Sequence, residues 1–248
     1  MKKVYFRFYE ELNDFLPEEK RKTRFAHNYI YRASVKDVIE SFGIPHTEVD
    51  LVLINGDSVR FDYLINDGDD ISVYPVFESH DITNVQHLRP NPLRNPKFIA
   101  DVHLGKLARY LRMMGFDVFY KNDFDDNEIV NLSLSEKRAI LTRDRGILKR
   151  SEVTHGYWIR STKVKEQVIE VIKRFDLKNI IKEFSRCIDC NSLLIKIDKD
   201  KILNKLPPKV AQSKEEFYRC QSCNKNYWKG THHQHMLSFI QSVKDIEF

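Results

Sequence analysis

The first 80 residues combine strand-like runs with one helical pattern. Residues 4–9, 24–32, 51–54 and 71–74 are rich in aromatic and β-branched side chains, which predicts strands. Between the second and third runs, apolar side chains recur at the i, i+3, i+4, i+7 spacing of one helical face: Val35, Val38, Ile39 and Phe42. Ser34 stands where a helix N-cap is expected and Gly43 where a helix ends. One helix flanked by strands is therefore predicted here.

Turn-forming residues divide the later strands. Asn55 and Gly56 both tolerate positive φ, and this pair predicts a two-residue hairpin turn. The acidic, glycine-containing stretch at 67–70 predicts another turn ahead of the last strand. Two strands, one helix and further strands follow one another in a β-grasp, or ubiquitin-like, domain, which we predict for residues 1–80.

A proline-rich stretch follows this segment. Pro90, Pro92 and Pro96 lie close together, among asparagines, and no helix can run through such a sequence. Residues 81–96 are therefore predicted to be a linker.

Strand-like and helical patterns alternate over residues 97–178. Short apolar runs at 98–100, 116–120, 139–142 and 156–160 predict strands, and segments 103–114, 126–137 and 163–175 predict helices. The first of these helices has an apolar stripe of Leu104, Leu107, Ala108 and Leu111. Alternation of this kind is typical of an α/β domain, with a parallel sheet covered by helices on both faces.

The net charge of +5 is unevenly divided along the chain. Residues 1–80 hold 10 Lys and Arg against 15 Asp and Glu, whereas residues 81–248 hold 31 against 21. The excess of positive charge after residue 80 favours an acidic partner such as nucleic acid, although a solvated basic surface gives the same count. No apolar run reaches the length of a membrane span or a secretion signal, so we expect a soluble, cytoplasmic protein without membrane association.

All four cysteines lie in the last third of the chain. They form two Cys-x-x-Cys pairs, Cys187 with Cys190 and Cys220 with Cys223. Two such pairs can supply four thiolates to one structural zinc ion, and iron in the same geometry is the alternative metal. Disulfides are disfavoured in the cytoplasm. We therefore predict a zinc ribbon over residues 179–248.

Acidic residues follow the predicted strands of the central segment. Asp101 comes directly after one strand and Asp144 two residues after another, while Asp126 opens the helix that lies between them in the chain. The carboxyl ends of parallel strands form the ligand-binding rim of a sheet, and three converging carboxylates need a divalent cation such as Mg²⁺ or Mn²⁺. The alternative is that Asp126 and Asp144 only cap helices.

Basic residues flank these carboxylates in the sequence. We expect five of them to bind the phosphates of an RNA backbone: Lys106, Arg109, Arg112, Arg143 and Arg145. The alternative for Lys106, Arg109 and Arg112 is a solvated helix face opposite the leucine stripe.

Several motifs of the chain resemble one nuclease family. Residues 98–112 (FIADVHLGKLARYLR), 115–117 (GFD) and 141–146 (LTRDRG) are similar to the PIN-type RNase family named after the C-terminal domain of the Mut-seven exonuclease. The C-terminal motifs agree: residues 185–191 around the first cysteine pair, 206–208 (LPP) and 227–232 around Gly230. The N-terminal segment resembles the ubiquitin-like domain that precedes the RNase domain in many members.

The resemblance implies a PIN-like nuclease domain at residues 97–178, between a ubiquitin-like domain and a zinc ribbon. Asp101, Asp126 and Asp144 match the acidic positions of the family, which are presumed to act in metal-dependent RNA hydrolysis. The chain departs from many PIN nucleases after Asp144, where residues 145–147 supply no fourth acidic residue.

Two functions follow as hypotheses. The first is a ribonuclease in which Mg²⁺ or Mn²⁺ activates a water that cleaves the RNA phosphodiester, the ubiquitin-like domain binding a protein partner. The second is a non-catalytic RNA-binding adaptor with a degenerate PIN-like domain.

Overall fold

The computed structural model describes residues 1–75, Leu88 and residues 95–247. The predicted linker at 81–96 lies outside these residues except for Leu88, Asn95 and Pro96. The chain forms two compact units, which we call the first and second unit. The first unit consists of Met1–Pro96 and Asp125–Ile159, and the second of Lys97–Phe124 and Arg160–Phe248.

The described residues form twelve strands and seven α-helices, besides short 3-10 turns. The strands are β1 (Lys2–Phe8), β2 (Phe25–Tyr29), β3 (Val49–Ile54), β4 (Asp57–Ser58), β5 (Asp70–Pro75), β6 (Lys97–Ala100), β7 (Val118–Phe119), β8 (Arg138–Thr142), β9 (Gly156–Trp158), β10 (Leu194–Ile197), β11 (Phe217–Cys220) and β12 (Asn226–Trp228). The helices are α1 (Val35–Ser41), α2 (Gly105–Met113), α3 (Asp126–Glu136), α4 (Arg145–Leu148), α5 (Val164–Arg174), α6 (Pro208–Ser213) and α7 (Thr231–Lys244).

Five strands of the first unit form a mixed sheet in the order β2-β1-β5-β3-β4. β1 pairs antiparallel with β2 and parallel with β5. The parallel pairing of the first strand with the last one, here β1 with β5, is typical of a β-grasp fold. The predicted β-grasp arrangement is confirmed. Apolar side chains form its core, where Phe6, Phe8 and Ile39 are buried and Phe42 packs edge-on against both phenylalanines.

Local sequence signals fix the ends of α1 and the turn after β3. Ser34 and Asp37 form a reciprocal capping box at the start of α1, which satisfies two N–H groups that the helix leaves open. Gly43, with φ of 88°, ends the helix in the left-handed region. Asn55 and Gly56 have φ of 53° and 96°, which confirms the predicted hairpin turn.

The other part of the first unit consists of α3, β8, α4 and β9. β8 and β9 run parallel, with Ile140 opposite Gly156. All five residues of β8 are buried, as expected for a strand covered on both faces.

This α/β segment packs on the β-grasp part of the same unit. The Trp158 backbone N–H donates to Glu48 Oε1 at 2.7 Å, and the Trp158 ring lies 4.8 Å from that of Phe15. Lys149 Nζ donates to the Glu40 carbonyl at 2.8 Å. Strand β9 and helix α4 therefore share polar and aromatic contacts with the ubiquitin-like fold.

The second unit contains the parallel pair β6–β7, helices α2 and α5, and the ribbon. Phe98 of β6 pairs with Val118 of β7, and its ring lies 5.0 Å from that of Phe175 at the end of α5. The strands β10, β11 and β12 form an antiparallel sheet, with Phe217 buried beside Trp228. With this ribbon and the parallel strand pairs, the mixed α/β fold class is confirmed.

Three of the differences between prediction and structure concern the second unit. The helix predicted at 103–114 begins only at Gly105, after a 3-10 turn over Val102–Leu104. The strand predicted at 116–120 is limited to β7. Helix α7 was not predicted, because its first turns are histidine-rich and only Ile240 and Val243 are buried along its length.

Gly115 provides a test of the second unit's packing. Its φ is 97°, and a Cβ there would lie 2.3 Å from the Lys182 carbonyl oxygen, so Gly115→Ala combines backbone strain with a backbone clash. Gly68 has nearly the same φ, 89°, but open space around it. Gly68→Ala should cost about 1–2 kcal/mol of unfolding free energy, and Gly115→Ala at least about 1–3 kcal/mol more. Urea unfolding of both variants measures the difference, and equal costs would contradict the close approach.

Candidate functional site

The four cysteines converge on one point of the second unit. Their sulfur atoms all lie within 4.8 Å of one another, with Cys187 Sγ 3.6 Å from Cys223 Sγ and Cys190 Sγ 3.3 Å from Cys220 Sγ. A Zn–S bond of about 2.3 Å gives a tetrahedron with edges of roughly 3.8 Å, so the donor set fits the predicted ion. The cluster can hold a metal such as zinc, as predicted, and four protein ligands make such a site structural.

The two Cys-x-x-Cys segments have matching backbone turns, which we call the first and second knuckle. Asn191 and Asn224 follow the second cysteine of each pair and have φ of 72° and 59°. Asn191 N–H donates to the Cys187 carbonyl at 3.0 Å and Asn224 N–H to the Cys220 carbonyl at 3.2 Å. Asparagine tolerates this left-handed conformation better than most residues, so an asparagine after each pair is a sequence signal for the knuckle.

Hydrogen bonds adjust the charge state of the cluster. Burial acts against the Cys190 thiolate, but hydrogen bonds from the Ser192 backbone and the other thiols lower its pKa to about 6. Tyr227 places its hydroxyl 3.0 Å from Cys187 Sγ, and burial together with this contact raises the pKa of Tyr227. The phenol thus stays a hydrogen-bond donor to the sulfur, as an outer partner of a metal ligand does.

Arg112 connects the first knuckle to helix α2 and strand β7. Only 2% of the residue is exposed. Its Nε donates to the Val118 carbonyl at 2.9 Å, and its Nη1 donates to the Asp189 carbonyl at 2.7 Å and the Ile188 carbonyl at 3.3 Å. Burial lowers the pKa of the guanidinium, while negative charge on the nearby cysteines and Asp189 acts in the opposite direction.

Arg112 was expected to bind RNA, and this expectation stays a prediction. Its guanidinium is buried and donates to three backbone carbonyls, although the residue also lines a surface cavity beside α2. Its place in α2 gives the signal that could have shown this burial, because Arg112 follows Leu111 directly and lies four residues after Ala108, at the border of the apolar stripe.

Asp101 lies directly after β6, where the chain turns into the 3-10 turn that precedes α2. It is buried, with 8% of its surface exposed. A carboxylate buried at the carboxyl end of a parallel strand is an unusual choice for a residue that only ends a strand. Its hard oxygen atoms suit Mg²⁺ or Mn²⁺.

The helix-capping role that was the alternative for Asp126 belongs to its neighbour Asp125. Asp125 is the N-cap of α3, and its Oδ1 accepts from the Glu128 N–H at 2.8 Å while Glu128 returns a bond to the Asp125 N–H. Asp126 is the first residue of the helix proper and is exposed to solvent. The capping alternative therefore applies to Asp125, and the Asp126 carboxylate is not used as the cap.

Asp144 is the N-cap of α4. Its Oδ1 accepts from the Gly146 N–H at 2.7 Å, and its own N–H donates to Thr142 Oγ1 at 2.9 Å. A carboxylate has two oxygens and about four lone-pair positions. Capping by Oδ1 is therefore compatible with an ion on the other oxygen, and the predicted metal role of Asp144 stays a prediction.

The remaining four predicted RNA-binding cations lie on the surface. Lys106 and Arg109 are exposed on α2 in the second unit, and Arg143 and Arg145 are exposed beside Asp144 in the first unit. The Arg145 guanidinium lies 5.2 Å from the centre of the Trp158 ring, and the Trp158 indole N–H donates to the Arg143 carbonyl at 3.2 Å. Trp158, which the sequence analysis did not single out, thus orders the chain around Asp144.

Within the described ranges, the four cysteines are the one group of three or more His, Cys, Asp or Glu side chains close enough to share an ion. The histidines at 232, 233 and 235 lie in α7, where His233 stacks on Phe184 at 4.1 Å. No described helix is long and apolar enough to cross a membrane.

The cysteine cluster predicts a direct metal dependence. Purified protein should contain about one zinc per chain, and Cys187→Ser should lose it, because three thiolates hold zinc less well and binding supplies folding free energy in small ribbons. Amide protection in β10 and β11 should fall in the same variant. Ser222→Ala, which removes a neighbouring hydroxyl but no sulfur, is the control and should keep its zinc. A wild-type protein with neither zinc nor iron in metal analysis would contradict the site.

Two family models match the chain. The model described as Mut7-C RNAse domain matches residues 96–240, and the model described as Mut7-C ubiquitin matches residues 1–81. Neither the curated proteins nor the solved structures gave a match. The first match covers more than half of the chain, and the two occur in the order that the sequence motifs indicated. The chain therefore belongs to the Mut7-C RNAse domain family and begins with a Mut7-C ubiquitin domain.

Proposed function

We propose that this protein is a metal-dependent ribonuclease that cleaves RNA phosphodiester bonds with water. The observation that carries the proposal is Asp101, a carboxylate buried at the carboxyl end of β6 inside the part of the chain that matches an RNase family. A nuclease of this kind needs carboxylates for the ion and cations for the RNA backbone. The carboxylates Asp101 and Asp144 both have cations near them in the sequence.

Asp101, Asp126 and Asp144 are the proposed ligands of Mg²⁺ or Mn²⁺, although among the described residues only the four cysteines lie close enough together to share an ion. Such an ion, when bound, lowers the pKa of a water and neutralises charge on the phosphate under attack. Asp101 offers oxygens in a buried setting, where electrostatic interactions are stronger than in water. Asp144 keeps its backbone oriented through its bond to the Gly146 N–H.

Exposed cations supply the grip on the substrate. Arg143 and Arg145 lie on either side of Asp144 in the sequence, and Lys106 and Arg109 follow Asp101 on α2. Guanidinium groups bind phosphate through paired N–H donors, which fixes orientation as well as adding affinity. These four residues are proposed to hold RNA phosphates while the carboxylates carry out hydrolysis.

The ubiquitin-like domain is proposed to bind a protein partner in the cytoplasm. One part of its surface, at Glu40 and Glu48, contacts α4 and β9. Edge strand β2 is followed by Ile30 and Tyr31, which are 72% and 83% exposed. Large apolar side chains beside a sheet edge are a frequent binding surface for proteins.

Substitution of the carboxylates tests the nuclease proposal. Asp101→Asn and Asp126→Asn should each lower the rate of Mn²⁺-dependent RNA cleavage roughly 100-fold or more, because each removes charge stabilisation from the reaction. Asp125→Asn is the matched control for Asp126, since it removes the same charge next door and asparagine is an equally good N-cap. It should retain the wild-type rate.

The outcomes separate the two hypotheses. Loss of cleavage in Asp101→Asn with RNA binding intact supports the enzyme. RNA binding without cleavage in both the wild type and the variant supports the adaptor instead. Cleavage that survives both Asp101→Asn and Asp126→Asn would show that the activity belongs to a contaminant.

A further inference from the structure

We propose that a cavity in the second unit is a nucleotide subsite, which takes one base and its phosphate from single-stranded RNA. The proposal rests on the proposed ribonuclease function and adds the class of substrate. The cavity has a volume of about 370 Å³ and is lined by the first two turns of α2, by Tyr120 and by the first knuckle. Pockets that hold small ligands start at about 300 Å³.

The cavity lies next to Asp101 along the chain. Tyr120 Oη donates to the carbonyl of Val102 at 3.0 Å, and Val102 directly follows Asp101. The opposite wall consists of Ile188 and Asp189, which lie between the two cysteines of the first knuckle. A ligand here therefore contacts both the segment that carries Asp101 and the metal ribbon.

The charge of the lining selects an anion. Lys106 and Arg109 are exposed cations on the α2 wall and the buried Arg112 lines it as well, whereas Asp189 is the one acidic residue of the lining. Arg109 Nη2 lies 3.4 Å from Asp189 Oδ1, and Lys225 also bonds to that carboxylate. Asp189 is therefore already balanced by two cations, and the excess positive charge on α2 is suited to a phosphate.

Tyr120 supplies a fixed aromatic wall. A Cβ on residue 105 would lie 2.6 Å from Tyr120 Oη and 2.8 Å from its Cζ, so the phenol fits only because residue 105 is glycine. The hydroxyl is held by Val102, which leaves the ring with little freedom. An ordered ring beside a basic groove is the arrangement on which proteins stack single-stranded bases.

The combination points to single-stranded RNA. In a duplex the bases are stacked on one another and paired, so none is available to Tyr120 without being unstacked. Ile188 offers an apolar contact across the cavity from the ring. A phosphate without a base would use only Lys106 and Arg109, and would gain nothing from Tyr120.

Binding measurements that vary the Tyr120 ring in the protein and the base in the RNA probe test the proposal. Fluorescence anisotropy would measure binding of a short labelled oligoadenylate, and of an abasic ribose-phosphate chain of equal length, without Mg²⁺ or Mn²⁺. Tyr120→Leu should weaken oligoadenylate binding roughly five- to 100-fold, the contribution of one stacked base. It should leave binding of the abasic chain unchanged. Tyr120→Phe keeps the ring and should stay within about twofold of wild type for both.

The basic wall is tested by salt dependence. Lys106→Gln and Arg109→Gln should each reduce the slope of log affinity against log salt for both probes, by up to about one unit. Lys165→Gln removes an exposed lysine of α5 that does not line the cavity, and it should leave the slope as it is. An unchanged slope in both α2 variants would overturn the phosphate part of the subsite.

Failure of this inference can be told from failure of the proposed function. If Tyr120→Leu is folded by circular dichroism and binds oligoadenylate like wild type, the subsite is wrong, even where Asp101→Asn abolishes cleavage. If wild type cleaves no RNA but binding depends on Tyr120 and on the base, the subsite stands and the nuclease proposal falls.

Discussion

The buried guanidinium of Arg112 is the interaction on which the second unit depends. A charge removed from water must be matched by hydrogen-bond acceptors, and removing its partners costs about 3–5 kcal/mol. Arg112 finds them in β7, through Val118, and in the first knuckle, through Ile188 and Asp189. The knuckle presents these carbonyls because the cysteines around them converge on one point. Metal binding, the knuckle and helix α2 are therefore coupled through one side chain.

This coupling gives the ribbon a role beyond stability. The carbonyl of Asp189 holds Arg112, while the side chain of the same residue holds Arg109 at the edge of the proposed nucleotide subsite. We expect loss of a metal from the cysteine cluster to weaken both contacts, because metal binding supplies folding free energy to such a ribbon. On the proposed function, a structural ion would influence RNA binding without touching the RNA, in the way that outer partners of a metal site orient the groups around them.

In the first unit, Trp158 connects several segments, as Arg112 does in the second unit. Its backbone binds Glu48, its ring packs against Phe15, and its indole N–H holds the Arg143 carbonyl beside Asp144. The ubiquitin-like domain therefore helps to order the segment that carries Asp144. A domain that only recruited a partner would have no need of these contacts.

The sequence predicts the parts of this structure that depend on local or strongly periodic signals. Ser34 and the Asn55-Gly56 pair act within a few residues, and the spacing of the cysteines is typical of a four-thiolate metal site. The features that cannot be predicted from the sequence depend on long-range packing. In the sequence, Arg112 looks like its exposed neighbours, because its burial depends on the distant carbonyl groups of the first knuckle. The proposed role of Tyr120 in base stacking depends on Gly105, which has no side chain and lets the ring approach. Helix α7 is not predicted from the sequence because few of its residues are buried.

The nature of the cleaved ends tests the central claim most directly. Water is the proposed nucleophile, so the 2′-hydroxyl of the RNA takes no part in the reaction. Mass spectrometry of the products should find linear phosphate ends, and a substrate with 2′-deoxyribose at the cleaved position should be cut at a similar rate. Products that end in a 2′,3′-cyclic phosphate, with the deoxy substrate left intact, would contradict hydrolysis by water.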